Sequence, residues 1–253
     1  MIRVLIIIAV AGFVLALACF TGAAALGGRE LLEKGWTFPA ELVIEDDGDT
    51  LRVTSRESAG PQSEKDLAWP GGNLLQIDAP AEVTYVQGAA ATVSVSGPQG
   101  LVERVVLTDG RLRLADNGRP GEGLDLRLGR DRLRVVVTAP SVTRFVLNGS
   151  PDLRVEGYDQ PEMQVEINGS GDVAAAGRAE SVSLSIAGSG DAELDELTVR
   201  DAAVAIAGSG NASLSPTGAV KVSIAGSGDV ALGAKPASLT SDIDGSGDLH
   251  LPD

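Results

Sequence analysis

The 253-residue sequence predicts an all-β protein whose strands coil into a parallel β-solenoid, preceded by an N-terminal membrane-targeting helix. The first observation is a six-residue phrase that occurs six times, with its serines 20, 19, 20, 18 and 19 residues apart. The second is the alternation of apolar and small polar residues on either side of each phrase. The third is the composition, with 32 glycines and only 3% aromatic residues. A period this short and regular indicates stacked units that cannot bury their apolar faces alone.

Each copy of the phrase has an apolar residue, then Asn, Ala or Asp, and then a Gly-Ser-Gly-Asp tetrad, from which Pro151 and Asn211 are the two departures. Its copies span 147–152, 167–172, 186–191, 206–211, 224–229 and 243–248. Glycine adopts positive φ without a side-chain clash, and Asp or Asn bonds its nearby backbone, so the tetrad predicts a sharp corner. The glycines predicted to form these corners are Gly149, Gly169, Gly171, Gly188, Gly190, Gly208, Gly210, Gly226, Gly228, Gly245 and Gly247.

Two short strands are predicted in each repeat, one on each side of the corner. Val182, Leu184 and Ile186 alternate before one corner, and Ala192 and Leu194 alternate after it. About 19 residues at roughly 3.3 Å each give a coil of about 60 Å perimeter, with successive coils about 4.8 Å apart. An antiparallel sandwich need not repeat one turn sequence, and a propeller blade needs roughly 40 residues, so the solenoid is favoured.

Residues 1–28 are predicted to be a signal peptide or a transmembrane anchor. Arg3 precedes an uncharged run over residues 4–28, which is long enough to span a bilayer, yet Ala23-Ala24-Ala25 offers a cleavage site. Both alternatives place the rest of the chain outside the cytoplasm, on the periplasmic or extracellular side. Cys19 is the only cysteine; lipidation there stays open, but a cysteine inside an apolar helix is the favoured interpretation.

Residues 29–73 are predicted to contain a spacer helix (29–34), a hairpin around Asp47-Gly48 and a Ser/Gly/Pro-rich linker (58–73). The acidic cluster at this turn lacks the ligand spacing of an EF-hand. Alternating apolar residues then return, and residues 74–253 are predicted to form one β-helix domain whose first rungs are irregular.

The charge distribution limits the possible partners. The net charge is −15, and residues 141–253 carry 17 acidic and 6 basic side chains, hence −11. Such a surface argues against nucleic acid. Arg127, Arg130, Arg132 and Arg134 form the one basic cluster, which has three interpretations: a site for an acidic ligand, a contact with the acidic repeats, or a solvated face.

The stacked carboxylates of the corners are the one candidate metal site, formed by Asp172, Asp191, Asp229 and Asp248. Two carboxylates about 4.8 Å apart repel by roughly 0.9 kcal/mol in water and about 3.5 kcal/mol at an effective dielectric of 20, which favours a bound cation. The alternative is that Asp only shapes the corner. The nine-residue period of calcium-binding β-rolls does not match a period near 19.

No catalytic residues or cofactor are predicted. An enzyme acting on polysaccharide is the alternative class, but it needs clustered acids with a basic or aromatic partner in a groove. The only histidine, His250, is expected to point outward from a terminal strand.

The sequence resembles the head GIN domain family of auto-transporter adhesin-like proteins over residues 74–253. The resemblance rests on Gln87-Gly88, on residues 110–114 and 135–140, and on the corner repeats. It implies a right-handed, single-stranded parallel β-helix in the bacterial envelope and brings no catalytic residues. Pro151 stands where the pattern has Gly, so the first corner is expected to differ.

The sequence therefore predicts a non-catalytic envelope scaffold or adhesin-like binding module. Its expected partners are the membrane, through residues 4–28 if the leader is retained, and an envelope protein or polysaccharide. The terminal rung around 243–251 shows no cap, so self-association or docking of a partner strand is expected there.

Overall fold

The computed structural model describes residues 42–46, 51–55, 62–115 and 132–252, in two compact units, Met1–Ser58 and Ala59–Asp253. In the first unit, β1 (Leu42–Asp46) and β2 (Leu51–Ser55) pair antiparallel, as the hairpin prediction requires. The predicted leader, Cys19 and the spacer helix lie outside the described residues. No helix in the described part of the chain is both long and apolar enough to cross a membrane.

The second unit is a 16-stranded sheet that coils into a β-solenoid of about five turns. Its elements are β3 (Gln62–Ala68), β4 (Leu74–Ile77), β5 (Ala81–Gln87), β6 (Thr92–Pro98), α1 (Gln99–Val102), β7 (Val105–Thr108), β8 (Arg111–Leu114), β9 (Leu133–Ala139), β10 (Arg144–Gly149), β11 (Asp152–Gly169), β12 (Asp172–Gly188), β13 (Ala192–Gly208), β14 (Ala212–Pro216), β15 (Ala219–Gly226), β16 (Val230–Leu232), β17 (Ser238–Gly245) and β18 (Leu249–His250).

The repeats stack in parallel and in register, as predicted. Across β10, β11, β12, β13, β15 and β17, the first glycine of each corner pairs with its counterpart in the next rung. The apolar residue that opens each phrase forms a second column, from Leu147 to Ile243, and this column is buried in every rung except the last. Repeats of 18–20 residues therefore place equivalent residues above one another, and the register shifts within the rungs absorb the differences in length.

Each central rung is one long strand, which corrects the expectation of two short ones. β11 has 18 residues, and β12 and β13 have 17 each. The pairing register shifts between Val155 and Tyr158, and again between Ala174 and Gly177 in the next rung. A bulge of this kind bends a strand without ending its hydrogen bonding, so the coil turns a second time within one continuous strand.

One rung comes from a distant part of the sequence. β4 lies between β10 and β8, and β5 lies between β11 and β9, so residues 74–87 are inserted into the stack. The chain passes this rung as it runs from β9 to β10. The buried Tyr85 hydroxyl fastens the passage: it donates to the Ala139 carbonyl at 2.9 Å and accepts the Val142 amide at 3.3 Å.

The N-terminal end of the solenoid is antiparallel, which corrects the expectation of uniformly parallel strands. β3 occupies part of the predicted linker and pairs antiparallel with β6, which pairs antiparallel with β9. β7 and β8 form a second antiparallel pair. These strands add to the edges of the parallel strands β9 and β4, which would otherwise expose unpaired backbone groups.

The core changes in composition along the axis. Near the inserted rung it is aromatic: the Tyr85 and Phe145 ring centroids lie 5.3 Å apart, and those of Phe145 and Tyr158 lie 6.2 Å apart. Burial raises the pKa of both tyrosines. Farther along, Val, Ile, Leu and Ala fill the coil, and no charged side chain of the described residues is buried.

Candidate functional site

The corner phrase is held by contacts between rungs. The Ser189 amide donates to the Gly169 carbonyl one rung below at 2.8 Å, and the equivalent bond recurs at the other stacked corners. Gly188 adopts φ +138°, a conformation that side chains disfavour. The second glycine is required for a different reason: a Cβ on Gly190 would lie 2.1 Å from the Gly171 carbonyl oxygen. The glycines therefore serve close stacking of the corners.

The first corner differs, as Pro151 leads one to expect. Gly149 has φ +90°, whereas the first glycines of the other five corners have φ near +138°. A Cβ on Gly149 would meet nothing within 4 Å. This corner lacks the close carbonyl below it that the other corners share.

The aspartates of the corners form a continuous edge, here called the aspartate edge (Asp152, Asp172, Asp191, Asn211, Asp229 and Asp248). From Asp172 onward, the Oδ1 atom of each residue accepts the backbone N–H of its counterpart in the next rung, at 2.8–3.1 Å. Asn211 also donates its side-chain amide to Asp191 at 3.0 Å. One oxygen of Asp172, Asp191, Asn211 and Asp229 is thus bonded to the backbone of the next rung, which is a structural role.

The predicted metal ligands are divided by this geometry. Asp172 and Asp191 lie on the same side of Asn211, and Asp229 and Asp248 lie on the other. Within the described ranges, the one group of three potential metal ligands with mutually close ligand atoms is Asp229, Asp248 and His250. His250 is exposed on β18, and sequence reasoning had treated it as an isolated outward residue.

The described part of the arginine cluster forms ion pairs with acidic side chains of the solenoid. Arg132 bonds Asp152, the first member of the aspartate edge, and Arg134 Nε lies 3.3 Å from Glu82 Oε2. Both arginine side chains are more than half exposed, so these pairs add little stability. This exposure fits the favoured interpretation of a solvated face, and Arg132 also contacts the acidic repeats through Asp152. Arg127 and Arg130 lie outside the described residues.

An outward surface of small side chains crosses the central rungs. It consists of three in-register positions on β12, β13 and β15, here called the small-residue face. Its members are Ser183, Ser185, Ala187, Ala203, Ala205, Ala207, Lys221, Ser223 and Ala225. Only Lys221 is charged, although the chain as a whole has a net charge of −15. Charge is thus nearly absent from this face and concentrated on the flanking rungs and the other faces.

Asp201, which bonds the first residue of β15, is an acid with a shifted pKa. Asp201 Oδ1 accepts the Ala219 amide at 2.8 Å, and Arg200 Nε donates to Asp201 Oδ2 at 2.9 Å. First the amide and then the guanidinium hold the pKa of Asp201 below its usual range. Asp201 therefore holds the start of β15 in place, and its bonds to Ala219 and Arg200 stabilise the fold.

The comparisons with known proteins agree with this architecture. Residues 73–236, more than half of the chain, match the family described as "Putative auto-transporter adhesin, head GIN domain". The chain belongs to this family. Strands β4 to β16 of this family member lie within the match, as do the small-residue face and the aspartate edge as far as Asp229; Asp248 lies outside it. No curated protein shows significant similarity to the chain.

Solved structures resemble this family member at low sequence identity. A putative adhesin from Bacteroides fragilis is 16% identical with a TM-score of 0.59, covering 76% of this chain and 97% of its own. A putative lipid binding protein from Parabacteroides distasonis is 18% identical with a TM-score of 0.45, covering 77% and 98%. A putative adhesin from Parabacteroides merdae is 16% identical with a TM-score of 0.45, covering 77% and 97%. At such identities the likeness to the first structure concerns the fold alone.

Proposed function

We propose that this protein is a non-catalytic, adhesin-like binding module of the bacterial envelope that contacts its partner through the small-residue face. The observation that carries the proposal is an almost uncharged surface of small side chains on a strongly acidic protein. Alanine and serine have short side chains with few rotamers, so little side-chain entropy is lost when a partner binds this face. Membership of an adhesin-like family supports a binding role over catalysis.

The partner that fits this surface is an envelope protein or a neutral polysaccharide. A strongly acidic polymer would be repelled by the charge that surrounds the face, since net charge of one sign acts over the whole surface. Because the face itself is nearly uncharged, binding should depend little on salt.

The test is the binding of the purified, fluorescently labelled chain to bacterial envelope fractions. Ala205→Arg places a long charged side chain at the centre of the face, whereas Ala231→Arg places the same side chain on an exposed strand position of another face. We expect the first variant to weaken binding at least 10-fold and the second to leave it unchanged. Equal loss in both variants, or no binding by the parent chain, contradicts the proposal.

Export is part of the same proposal. The uncharged run over residues 4–28 supports a leader that directs the chain to the periplasmic or extracellular side, either cleaved or retained as an anchor. Mass spectrometry of the N-terminal peptide from cells distinguishes these outcomes, and an added lipid mass on Cys19 identifies lipidation. A cytoplasmic pool of chain with an intact N-terminus contradicts export.

The body is proposed to be a right-handed, single-stranded β-helix, because parallel strands joined by crossovers are right-handed in about 98% of cases.

The terminal rung of the solenoid is proposed to self-associate. Among the described residues, β17 pairs along one edge only, with β15, and Ile243 is 40% exposed although its counterparts in the other rungs are buried. Light scattering of Ile243→Lys against the parent chain tests this, and a parent chain that stays monomeric at high concentration refutes it.

A further inference from the structure

The last two rungs bring an imidazole to the aspartate edge. Asp248 and His250 flank Leu249, so their side chains leave the strand on the same side. Asp229 lies one rung below, because Val230 pairs with Leu249. One ligand atom from each of Asp229, Asp248 and His250 lies within 4.8 Å of the other two. The three side chains therefore converge from two rungs.

The arrangement of Asp229 keeps one oxygen available. Its Oδ1 atom accepts the Asp248 amide at 2.8 Å, which fixes the carboxylate between the rungs. The Oδ2 atom takes no part in that bond. Asp248 and His250 are both exposed, so small χ rotations can change the separation of the donors.

The column that contains His250 offers no imidazole in the preceding rungs. The residues in register with His250 are Ala231, Ser213 and Glu193. The mixed set of one nitrogen and two oxygen donors thus occurs only at the terminal rung, although the aspartates recur along the whole edge. The other rungs, which have the aspartates but no imidazole, can therefore serve as controls for the last rung.

We infer that Asp229, Asp248 and His250 form a binding site for a divalent transition-metal ion, with Zn²⁺ as the best-fitting ion. Zinc accepts imidazole nitrogen and carboxylate oxygen at about 2.0–2.2 Å, commonly with three protein ligands and one water, which requires donors about 3.4 Å apart. Calcium takes six to eight oxygen ligands and is poorly served by an imidazole. The acidic edge raises the local concentration of any cation.

A metal at this position fastens the end of the solenoid. β18 has two residues, and its only apolar side chain, Leu249, is half-buried. The ion joins Asp229 of one rung to Asp248 and His250 of the next. A ligand that binds only the folded state raises its stability in proportion to ligand concentration, so zinc should protect the terminal rung most.

The experiment is zinc titration of the purified full-length chain without a histidine tag, followed by calorimetry and by the proton NMR signals of the imidazole. Because His250 is the only histidine, its signals need no further assignment. We expect one Zn²⁺ per chain and a shift of the imidazole signals on binding.

Three variants separate this site from the rest of the edge. His250→Ala and Asp229→Asn should each weaken zinc binding at least 10-fold; Asn keeps the oxygen that accepts the backbone amide, as Asn211 does. Asp172→Asn makes the same change where no imidazole is near, and should leave zinc affinity unchanged. The inference is overturned if the parent chain does not bind zinc at millimolar concentration. It is also overturned if His250→Ala binds zinc normally, or if calcium competes equally and Asp172→Asn weakens both ions.

Discussion

Replacing Gly188 by alanine tests whether the corners are limited by backbone conformation or by the distance between rungs. The new Cβ would lie 2.1 Å from the Gly169 carbonyl oxygen and 2.9 Å from its carbon. Relief requires the two rungs to separate, which weakens the bond from the Ser189 amide to that same oxygen. The φ of +138° adds strain for any residue with a side chain.

The expected cost is worked from these three effects. Backbone strain contributes about 1–3 kcal/mol, overpacking about 1–3 kcal/mol, and the weakened hydrogen bond about 0.5–1.5 kcal/mol. Gly188→Ala should therefore lower the free energy of unfolding by about 2.5–7.5 kcal/mol. For a unit of this size, each kcal/mol lowers the Tm by roughly 2–4 °C.

Two further variants separate the effects. Gly149→Ala carries strain at φ +90° but has no neighbour within 4 Å, so it should cost only about 1–3 kcal/mol. Gly190→Ala has the close contact without a positive φ, and should cost about 1.5–4.5 kcal/mol. Urea unfolding followed by circular dichroism measures all three. The reasoning is refuted if Gly188→Ala is no more destabilising than Gly149→Ala.

Three other predictions concern single side chains, each measured by urea unfolding. Asp191→Ala should cost about 1 kcal/mol because it removes the acceptor of the Asn211 amide; Asp191→Asn keeps an acceptor and should cost clearly less, so equal losses would contradict this role. Tyr85→Phe should cost about 1–3 kcal/mol because it leaves the Val142 amide without its acceptor, whereas the Ala139 carbonyl keeps the Gly88 amide at 3.2 Å, and a loss below about 0.5 kcal/mol would show that the passage from β9 to β10 does not need the hydroxyl. The depressed pKa of Asp201 means that its ionised form stabilises the fold above the pKa of the unfolded chain, near 3.9, and that this contribution is lost as the pH falls through the folded-state pKa. The parent chain should therefore lose more stability than Asp201→Asn between pH 7 and pH 3, and parallel losses would argue against the linkage.

The repeated part of the fold was predictable because its information is local and periodic. Each corner carries its own glycines, and the alternation before Ile186 or Ile224 identifies the buried face without knowledge of any distant residue. Parallel stacking follows from nearly equal repeat lengths of 18–20 residues. The central bend was missed because a bulge, as between Ala174 and Gly177, needs no turn sequence of its own.

The N-terminal end was less predictable because its pairings are long-range. Nothing local to β5 indicates that it lies between β9 and β11, since its partners Leu133 and Asp152 are 52 and 70 residues further along the chain than Ala81 and Glu82. Residues 58–73 read as a linker because they are rich in Ser, Gly, Pro and charge, and β3 within them is a polar strand without a fully buried residue. The proximity of His250 to Asp229 depends on the register of the last rung and was missed for the same reason.

The corners and the strand faces of this solenoid are under different constraints. At a corner such as Gly188 to Asp191, a side chain or a backbone atom of nearly every residue contacts the rung below, so a change propagates along the stack. Outward positions such as Ala205 contact only their neighbours on the same face, and surface substitutions there usually change stability by less than about 0.5 kcal/mol. Selection for binding can therefore act on outward positions without loss of the fold. Functional sites are therefore expected in outward columns that differ from their neighbours rather than in the most repeated residues. In this protein those columns are the nearly uncharged small-residue face and the column that ends in His250.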